Sequence, residues 1–299
     1  MKVLILAGAT ATGKSTLAME LAREYSRDII SADSRQVYQG LRVGTAQASP
    51  EDKAAVPHHF QNFLSPDEQW SAQGFSRNAL SVLREKADQT PIVVGGTGFY
   101  LKSLMEGLSP LSVSRSKTRE IRKRIESLST EELRNQLSSA DPESAERIHQ
   151  NDRQRILRAL EVYLATGETL TDHHRKGRES PEDVEWKRVL LSCARSALHQ
   201  NIEDRLDRML DGSWQAEVRE LMESGVNPEA PGMQTLGYPE VLAILRGDLS
   251  LKEAREKILI RTRQYARRQE IWFRKQEFDL IIQDLRGDGA REIRHWLAS

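Results

Sequence analysis

The stretch Gly8-Ala9-Thr10-Ala11-Thr12-Gly13-Lys14-Ser15 constrains this chain more than any other. It follows an apolar run over residues 3–7 and leads into Leu17, Ala18, Leu21 and Ala22, the spacing of a helix face. The loop therefore sits where a strand turns into a helix, the setting a phosphate-binding P-loop requires. Glycines let the backbone curl so that successive amide N–H groups point inward, and the following helix adds its positive N-terminal end. Lys14 supplies a full positive charge, and the Ser15 hydroxyl is a magnesium ligand of the usual kind for such loops. A bound polyphosphate follows, but neither its identity nor its fate.

A strand over residues 28–31 comes after that helix, which makes a parallel βαβ unit and sets Asp33 at a strand's carboxyl end. In open α/β sheets ligands bind on that rim, so Asp33 shares it with the loop. Residues 44–75 read as irregular, broken by Pro50, Pro57 and Pro66. After an expected helix over 71–86, a strand over 91–94 ends in Gly95-Gly96-Thr97-Gly98 before another helix. This repeats the strand, glycine loop, helix order, either as a second loop facing the same cavity with the Thr97 hydroxyl or as a tight turn alone.

Past Ser109-Pro110 the character changes, with helical periodicity and almost no strand signal over residues 113–185. Ser129 with Glu132 has the form of a capping box, Asp141-Pro142 that of a helix start, and Gly167 that of a helix end. Residues 171–183 read as a polar linker, and a core strand resumes at Val189-Leu190-Leu191-Ser192-Cys193. The expected architecture is a P-loop NTPase-like α/β core, a parallel sheet flanked by helices, over 1–112 and 186–299. An all-helical domain over 113–185 is inserted into it. Helices are expected over 196–210, 214–223, 239–246, 250–275 and 291–297, with a last strand over 278–282.

Formal charge is balanced, 44 basic against 44 acidic residues, so only local clustering can report a partner. Arg119, Arg122, Arg153, Arg155 and Arg158 lie in the inserted block; Arg261, Arg263, Arg267, Arg268 and Arg274 lie on the long C-terminal helix. Ile258, Tyr265 and Trp272 fall seven apart as an apolar stripe, which reads as core, while the arginines suit phosphates. A solvated helix face would use the same residues. The single cysteine, Cys193, reads as packing, and the adjacent pairs His58-His59 and His173-His174 read as surface or loop residues. No apolar run approaches the ~20 residues of a bilayer span and the chain starts directly in a strand, so a soluble cytoplasmic protein is expected. With no exposed heptad, a monomer without a protein partner is expected too.

To this point a metabolite kinase fits almost as well as any other P-loop enzyme. The tracts Ile30-Ser31-Ala32-Asp33-Ser34-Arg35-Gln36-Val37-Tyr38, Val43-Gly44-Thr45-Ala46, Gly95-Gly96-Thr97-Gly98-Phe99-Tyr100, Arg158-Ala159-Leu160-Glu161-Val162-Tyr163 and Thr262-Arg263-Gln264 through Trp272 separate the two. Together with the loop at 8–15, they resemble the bacterial tRNA dimethylallyltransferases in the family's order along nearly the whole chain.

The resemblance implies transfer of a dimethylallyl group from dimethylallyl diphosphate to N6 of adenosine 37, beside the anticodon, in tRNAs reading codons that begin with U. It implies Mg2+ as cofactor, held at Ser15, and the tRNA anticodon stem-loop as partner. Asp33 is then the base, Lys14, Thr97 and Arg205 are further catalytic positions, and Gly8, Ala9, Thr10, Ala11, Thr12, Gly13, Lys14 and Ser15 hold the diphosphate. The positions matching tRNA contacts are Asp33, Ser34, Arg35, Gln36, Thr97, Arg119, Gln154, Arg155, Ile156, Leu157, Arg158, Arg267, Arg268, Gln269 and Arg274. Ala9 stands where the family has proline, Asn201 where it has arginine, and Pro239 where it has a longer polar residue. Prenyl transfer to a free adenine nucleotide remains an alternative that the basic helices argue against.

Overall fold

The computed structural model of the chain describes residues 1–107, 115–175, 180–284 and 287–298. It forms two compact units, one of Met1–Met105 with Glu182–Ser299, the other of Glu106–Pro181.

The larger unit is built on six parallel strands: β1 (Lys2–Gly8), β2 (Ile29–Ser31), β3 (His58–His59), β4 (Ile92–Gly95), β5 (Glu185–Leu191) and β6 (Leu280–Ile282), in the order β3-β2-β4-β1-β5-β6. β1 reads as an unbroken apolar run because parallel strands covered on both faces have no solvent side. It lies between β4 and β5, in register from Leu4 opposite Ile92 to Gly8 opposite Leu191. The strands before β5 extend the sheet to one side and those from β5 onward to the other. The order therefore reverses at β1, and the crevice beyond its carboxyl end is a topological switch point.

The helices among the described residues are α1 (Lys14–Tyr25), α2 (Pro50–Ala55), α3 (Ala72–Glu85), α4 (Gly98–Glu106), α5 (Arg115–Ile125), α6 (Thr130–Ala140), α7 (Pro142–Arg147), α8 (Arg153–Thr166), α9 (Leu170–Arg175), α10 (Arg195–Met209), α11 (Ser213–Glu223), α12 (Tyr238–Arg246), α13 (Leu251–Phe273) and α14 (Asp288–Ala298). Leu17 and Leu21 of α1 bury against Leu4, Leu6, Ile92, Val94 and Val189 of the sheet. Each such side chain withdrawn from water contributes about 1.5–3 kcal/mol. A second core joins Ile202 and Leu206 of α10, Trp214 and Val218 of α11, Tyr238 and Val241 of α12, and Ile258 and Ala266 of α13 around Val37 and Leu41.

The smaller unit has its own core, in which Leu133 and Leu137 of α6 meet Ile156, Leu157 and Leu160 of α8 and Ile121 and Ile125 of α5. Ser129 and Glu132 form a complete capping box, Asp141 caps α7, and Gly167 ends α8 at φ 76°.

Two sequence expectations change. The tract 44–75 is not wholly irregular, since it holds α2 and the edge strand β3, and the stretch taken as a linker from residue 171 begins as α9. Both elements are too short for periodicity to reveal. His58 and His59 thus lie on a strand, where His59 Nε2 meets the buried Asp28 carboxylate at 2.9 Å, and His173 is buried in α9. Ser109-Pro110 and Gly177 lie outside the described residues.

Candidate active site

The loop after β1 takes its shape from backbone that few side chains tolerate. Gly13 at the start of α1 has φ 88°, left-handed and inexpensive only for glycine, and no side chain caps the helix, so its first N–H groups face the loop. Ala11 is also left-handed, at φ 62°, which costs an L-residue about 1–2 kcal/mol. Neighbouring groups hold it: Thr12 Oγ1 donates to the Ala9 carbonyl at 2.9 Å, and Asn201 Nδ2 of α10 donates to the Ala11 carbonyl at 3.1 Å. Asn201, one of the departures from the family pattern, is therefore a backbone support for the loop. The buried Ala9 also receives the Lys14 ammonium on its carbonyl at 2.5 Å.

Burial lowers the Lys14 ammonium to about 8, with Asp33 opposing the shift and Arg205 reinforcing it. Burial also lowers the Arg205 guanidinium, again opposed by Asp33. Arg205 Nη1 donates to the Thr10 hydroxyl at 3.1 Å, bringing α10 onto the crest of the loop. The Ser15 hydroxyl is exposed at the first turn of α1.

Asp33 follows β2 and shapes its own turn: Oδ1 accepts the N–H of Arg35 at 2.8 Å and of Gln36 at 3.4 Å. Across from it, the Thr97 hydroxyl accepts the Ser34 N–H at 3.0 Å, joining the two strand ends. Tyr265 lies close enough that burial and then the Asp33 charge raise its phenol, and Tyr100, mainly through burial, is pushed up to about 12.

Two cavities meet at this carboxylate. One, of about 470 Å³, is lined by the loop with Lys14 and Ser15 and by Gly95 and Gly96. The other, of about 540 Å³, is lined by Arg35, Trp214, Thr235, Ile258, Arg261, Tyr265 and Arg268. Both include Thr10, Asp33, Thr45, Arg205 and Tyr265. A phosphate cradle on one side and an arginine-lined recess on the other thus share one carboxylate. Such a site can strip a proton from a group entering one side while stabilising an anion that departs into the other.

Most of the expected site residues of the larger unit converge here: Asp33, Ser34, Arg35, Thr97, Lys14, Arg205 and the loop itself. Some side chains are committed elsewhere. The Gln36 amide accepts from Ser31 and Gln61 and donates to the Thr45 and Ala46 carbonyls, which leaves it no capacity for a base. Gln269 is buried and engaged at both ends, with Thr10 and with Gly96. Arg267, Arg268 and Arg274 are exposed on α13 and just beyond it, with Arg268 stacked 5.9 Å over the Tyr265 ring.

In the smaller unit, Arg119, Gln154, Arg155 and Arg158 are exposed, but Ile156 and Leu157 are core. Their side chains serve packing, so a contact with RNA at those two positions would run through the backbone.

Two contributors, Tyr265 and Glu217, escaped the sequence, and Gln269 was named only through the resemblance. Tyr265 falls on the apolar stripe, yet that face of α13 borders the cavity there. Gln269 falls at a buried helical position between Ala266 and Phe273, and a lone amide in an apolar stripe was its signal. The buried Glu217 carboxylate accepts the N–H groups of Arg42 and Val43 at 2.7 and 2.6 Å and the Tyr238 hydroxyl at 2.7 Å, bracing the loop that carries Thr45. Nothing in its local sequence distinguishes it from a surface glutamate. Cys193 is a half-buried free thiol packed beside the second core.

Residues 36–276 match the protein family described as IPP transferase, and residues 1–59 the one described as isopentenyl transferase. The chain is 41% identical over 277 residues to a tRNA dimethylallyltransferase of Geobacter sulfurreducens, covering 92% of this chain and 89% of that one. It is 39% identical over 297 residues to tRNA dimethylallyltransferase 1 of Citrifermentans bemidjiense, covering 99% and 96%. Among solved structures it resembles tRNA delta(2)-isopentenylpyrophosphate transferase of Staphylococcus epidermidis, with a TM-score of 0.69, 33% identity and coverage of 99% and 98%. It also resembles a eukaryotic dimethylallyltransferase acting on tRNA, with a TM-score of 0.81, 28% identity and coverage of 98% and 77%.

Proposed function

The chain belongs to the IPP transferase family, and from that membership we propose that it is a tRNA dimethylallyltransferase, moving a dimethylallyl group from its diphosphate to N6 of adenosine 37 in tRNAs that read codons beginning with U. The observation that carries this reading is the Asp33 carboxylate shared between a phosphate-binding loop and an arginine-lined recess.

In this reading the diphosphate rests against the amides of residues 8–15. The C1–O bond of the allylic group breaks as the C1–N6 bond forms, and the electron pair of the broken bond leaves with the diphosphate. Lys14 and Arg205 neutralise the charge that builds on it, in a partly buried setting where each interaction is worth more than in water. Asp33 accepts the N6 proton through Oδ2, since Oδ1 is held by its own turn. The adenine reaches Asp33 by leaving its stack and entering the recess beside Tyr265, the general route by which enzymes act on a base. Arg35 and Arg268 line that recess and serve the flanking phosphates.

Among the described residues no group of three or more His, Cys, Asp or Glu side chains could hold a metal. The Ser15 hydroxyl at the loop fits magnesium nonetheless, because Mg2+ binds through few protein oxygens and mostly through substrate phosphates and water. Bound there, it would lower the charge of the leaving diphosphate.

We read the smaller unit as an RNA-binding insertion, with Arg119, Gln154, Arg155 and Arg158 toward the anticodon stem. Recognition of that duplex rests on shape and phosphate. No helix among the described residues is long and apolar enough to cross a membrane, and we take the protein to act in the cytoplasm as a monomer. The test is incubation of the purified protein with labelled dimethylallyl diphosphate and unmodified tRNA, followed by nucleoside analysis. Label in N6-(dimethylallyl)adenosine is expected; label on AMP but not on tRNA, or ATP turnover without prenylation, would overturn the reading.

A further inference from the structure

We propose that Gln269 is a positioning residue that sets the distance between the leaving-group side and the base side of the site. Its Oε1 accepts the Thr10 N–H at 2.9 Å, and its Nε2 donates to the Gly96 carbonyl at 2.9 Å. One carboxamide thus ties the crest of the loop after β1 to the glycine loop after β4. Each end continues into the chemistry. Thr10 receives Arg205 on its hydroxyl, and Gly96 precedes Thr97, whose hydroxyl fixes the Ser34 amide beside Asp33.

The bridge has little slack. Gln269 is 7% exposed and lies on α13 between the buried Ala266 and Phe273, so the helix fixes its origin. At Gly96 a Cβ would stand 2.4 Å from Gln269 Nε2 and 3.3 Å from the Gly8 carbonyl, so the missing side chain is the space the amide occupies. Only a glutamine combines the reach with a donor at one end and an acceptor at the other. Asparagine is one methylene shorter, glutamate sets an oxygen against the Gly96 carbonyl, and methionine keeps the shape but serves neither partner. The bond also makes the diphosphate loop answer to α13, the helix that bears Arg267 and Arg268. In an in-line displacement the bond that breaks and the bond that forms are set by these two loops, and a displacement near 1 Å can cost about 100-fold in rate.

The inference rests on the reading of residues 8–15 as the diphosphate loop and Asp33 as the base. The test is steady-state and single-turnover prenylation of tRNA by the wild type and Gln269→Met. If the wild type does not prenylate tRNA, the functional reading fails; with an active wild type, only the present inference is at stake. Gln269→Met is expected to lower the single-turnover rate about 100-fold. Its KM for tRNA should stay within about threefold, because the buried side chain borders the cavity of the phosphate loop and not the arginine-lined recess. An unchanged single-turnover rate, or a loss confined to KM for tRNA, would overturn the proposal.

A coupling measurement covers the case in which Gln269→Met melts below the assay temperature. Gly96→Ala thrusts a methyl group against the amide and should slow transfer. In a Gln269→Ala background that methyl has room, so the two losses should fall well short of multiplying. Losses that multiply in full would show that Gln269 does not act through Gly96.

Discussion

The backbone N–H of Ser34 donates to the Thr97 hydroxyl at 3.0 Å across 63 residues of sequence, pinning the turn that carries Asp33 to the second glycine loop. Thr97→Val keeps the shape of the side chain but leaves that amide without an acceptor, a loss of about 1–3 kcal/mol. Transfer should slow about 10- to 100-fold, and Thr97→Ser, which keeps the hydroxyl, should recover activity to within about threefold. Equal rates for the valine and serine variants in a single-turnover assay would remove the bond from the mechanism.

Asp33→Asn preserves the Oδ1 bond to the Arg35 amide but cannot take a proton. General-base loss of this kind costs about 10²- to 10⁴-fold in rate. The tRNA dissociation constant, measured by filter binding, should move less than about twofold, since one neutral oxygen remains at the same place.

Lys14 supplies a pH dependence whose direction is set by its charge. The ammonium must be protonated to hold an anion, and burial has brought its pKa down to about 8. In the free enzyme kcat/KM for dimethylallyl diphosphate is therefore expected to be flat below about pH 8 and to fall above it. Bound diphosphate favours the charged form, so the corresponding limb in kcat should lie at higher pH. Lys14→Arg, which holds its proton across this range, should remove the alkaline limb whatever it does to the plateau.

Two kinds of position on α8 and α5 should separate cleanly. Arg155→Ala and Arg119→Ala, at exposed sites, are expected to weaken binding of every tRNA alike and to reduce the slope of log K against log salt by about one each. Ile156→Ala, in the core of the smaller unit, should cost about 2–5 kcal/mol of that unit's stability and leave the slope unchanged. Urea unfolding and a salt titration read the two effects independently.

Glu217 and Tyr238 form a buried pair beneath the loop that bears Thr45. Tyr238→Phe removes the hydroxyl at 2.7 Å from the carboxylate and should destabilise by about 1–3 kcal/mol in urea unfolding. Glu217→Ala, which also strands the Arg42 and Val43 amides, should cost more. The reverse order would mean that the carboxylate is held chiefly by the tyrosine.

Much of this enzyme can be read along the chain because the relevant signals are local. An apolar strand, a glycine loop and a helix occupy residues 2–25 without interruption, and Asp33 follows the next strand within a few residues. The capping box at Ser129 and the stop at Gly167 are likewise contained in a few positions each. The short elements α2, β3 and α9 were not legible, since six, two and six residues are too few to display a period.

The roles of single polar side chains divide in the same way. Residues 8–15 and Asp33 determine by themselves a phosphate-type loop beside a carboxylate on a parallel sheet, and the family-specific tracts around them are what turn the expectation from any polyphosphate to a diphosphate. Only the tertiary structure decides that Gln36 and Gln269 spend their amides inside the protein, that Asn201 supports the strained Ala11, and that Tyr265 borders the cavity. The physical reason is reach: a hydrogen bond joins groups within about 3 Å in space. The partners here, Gln269 with Gly96 and Asn201 with Ala11, stand 173 and 190 residues apart in the chain.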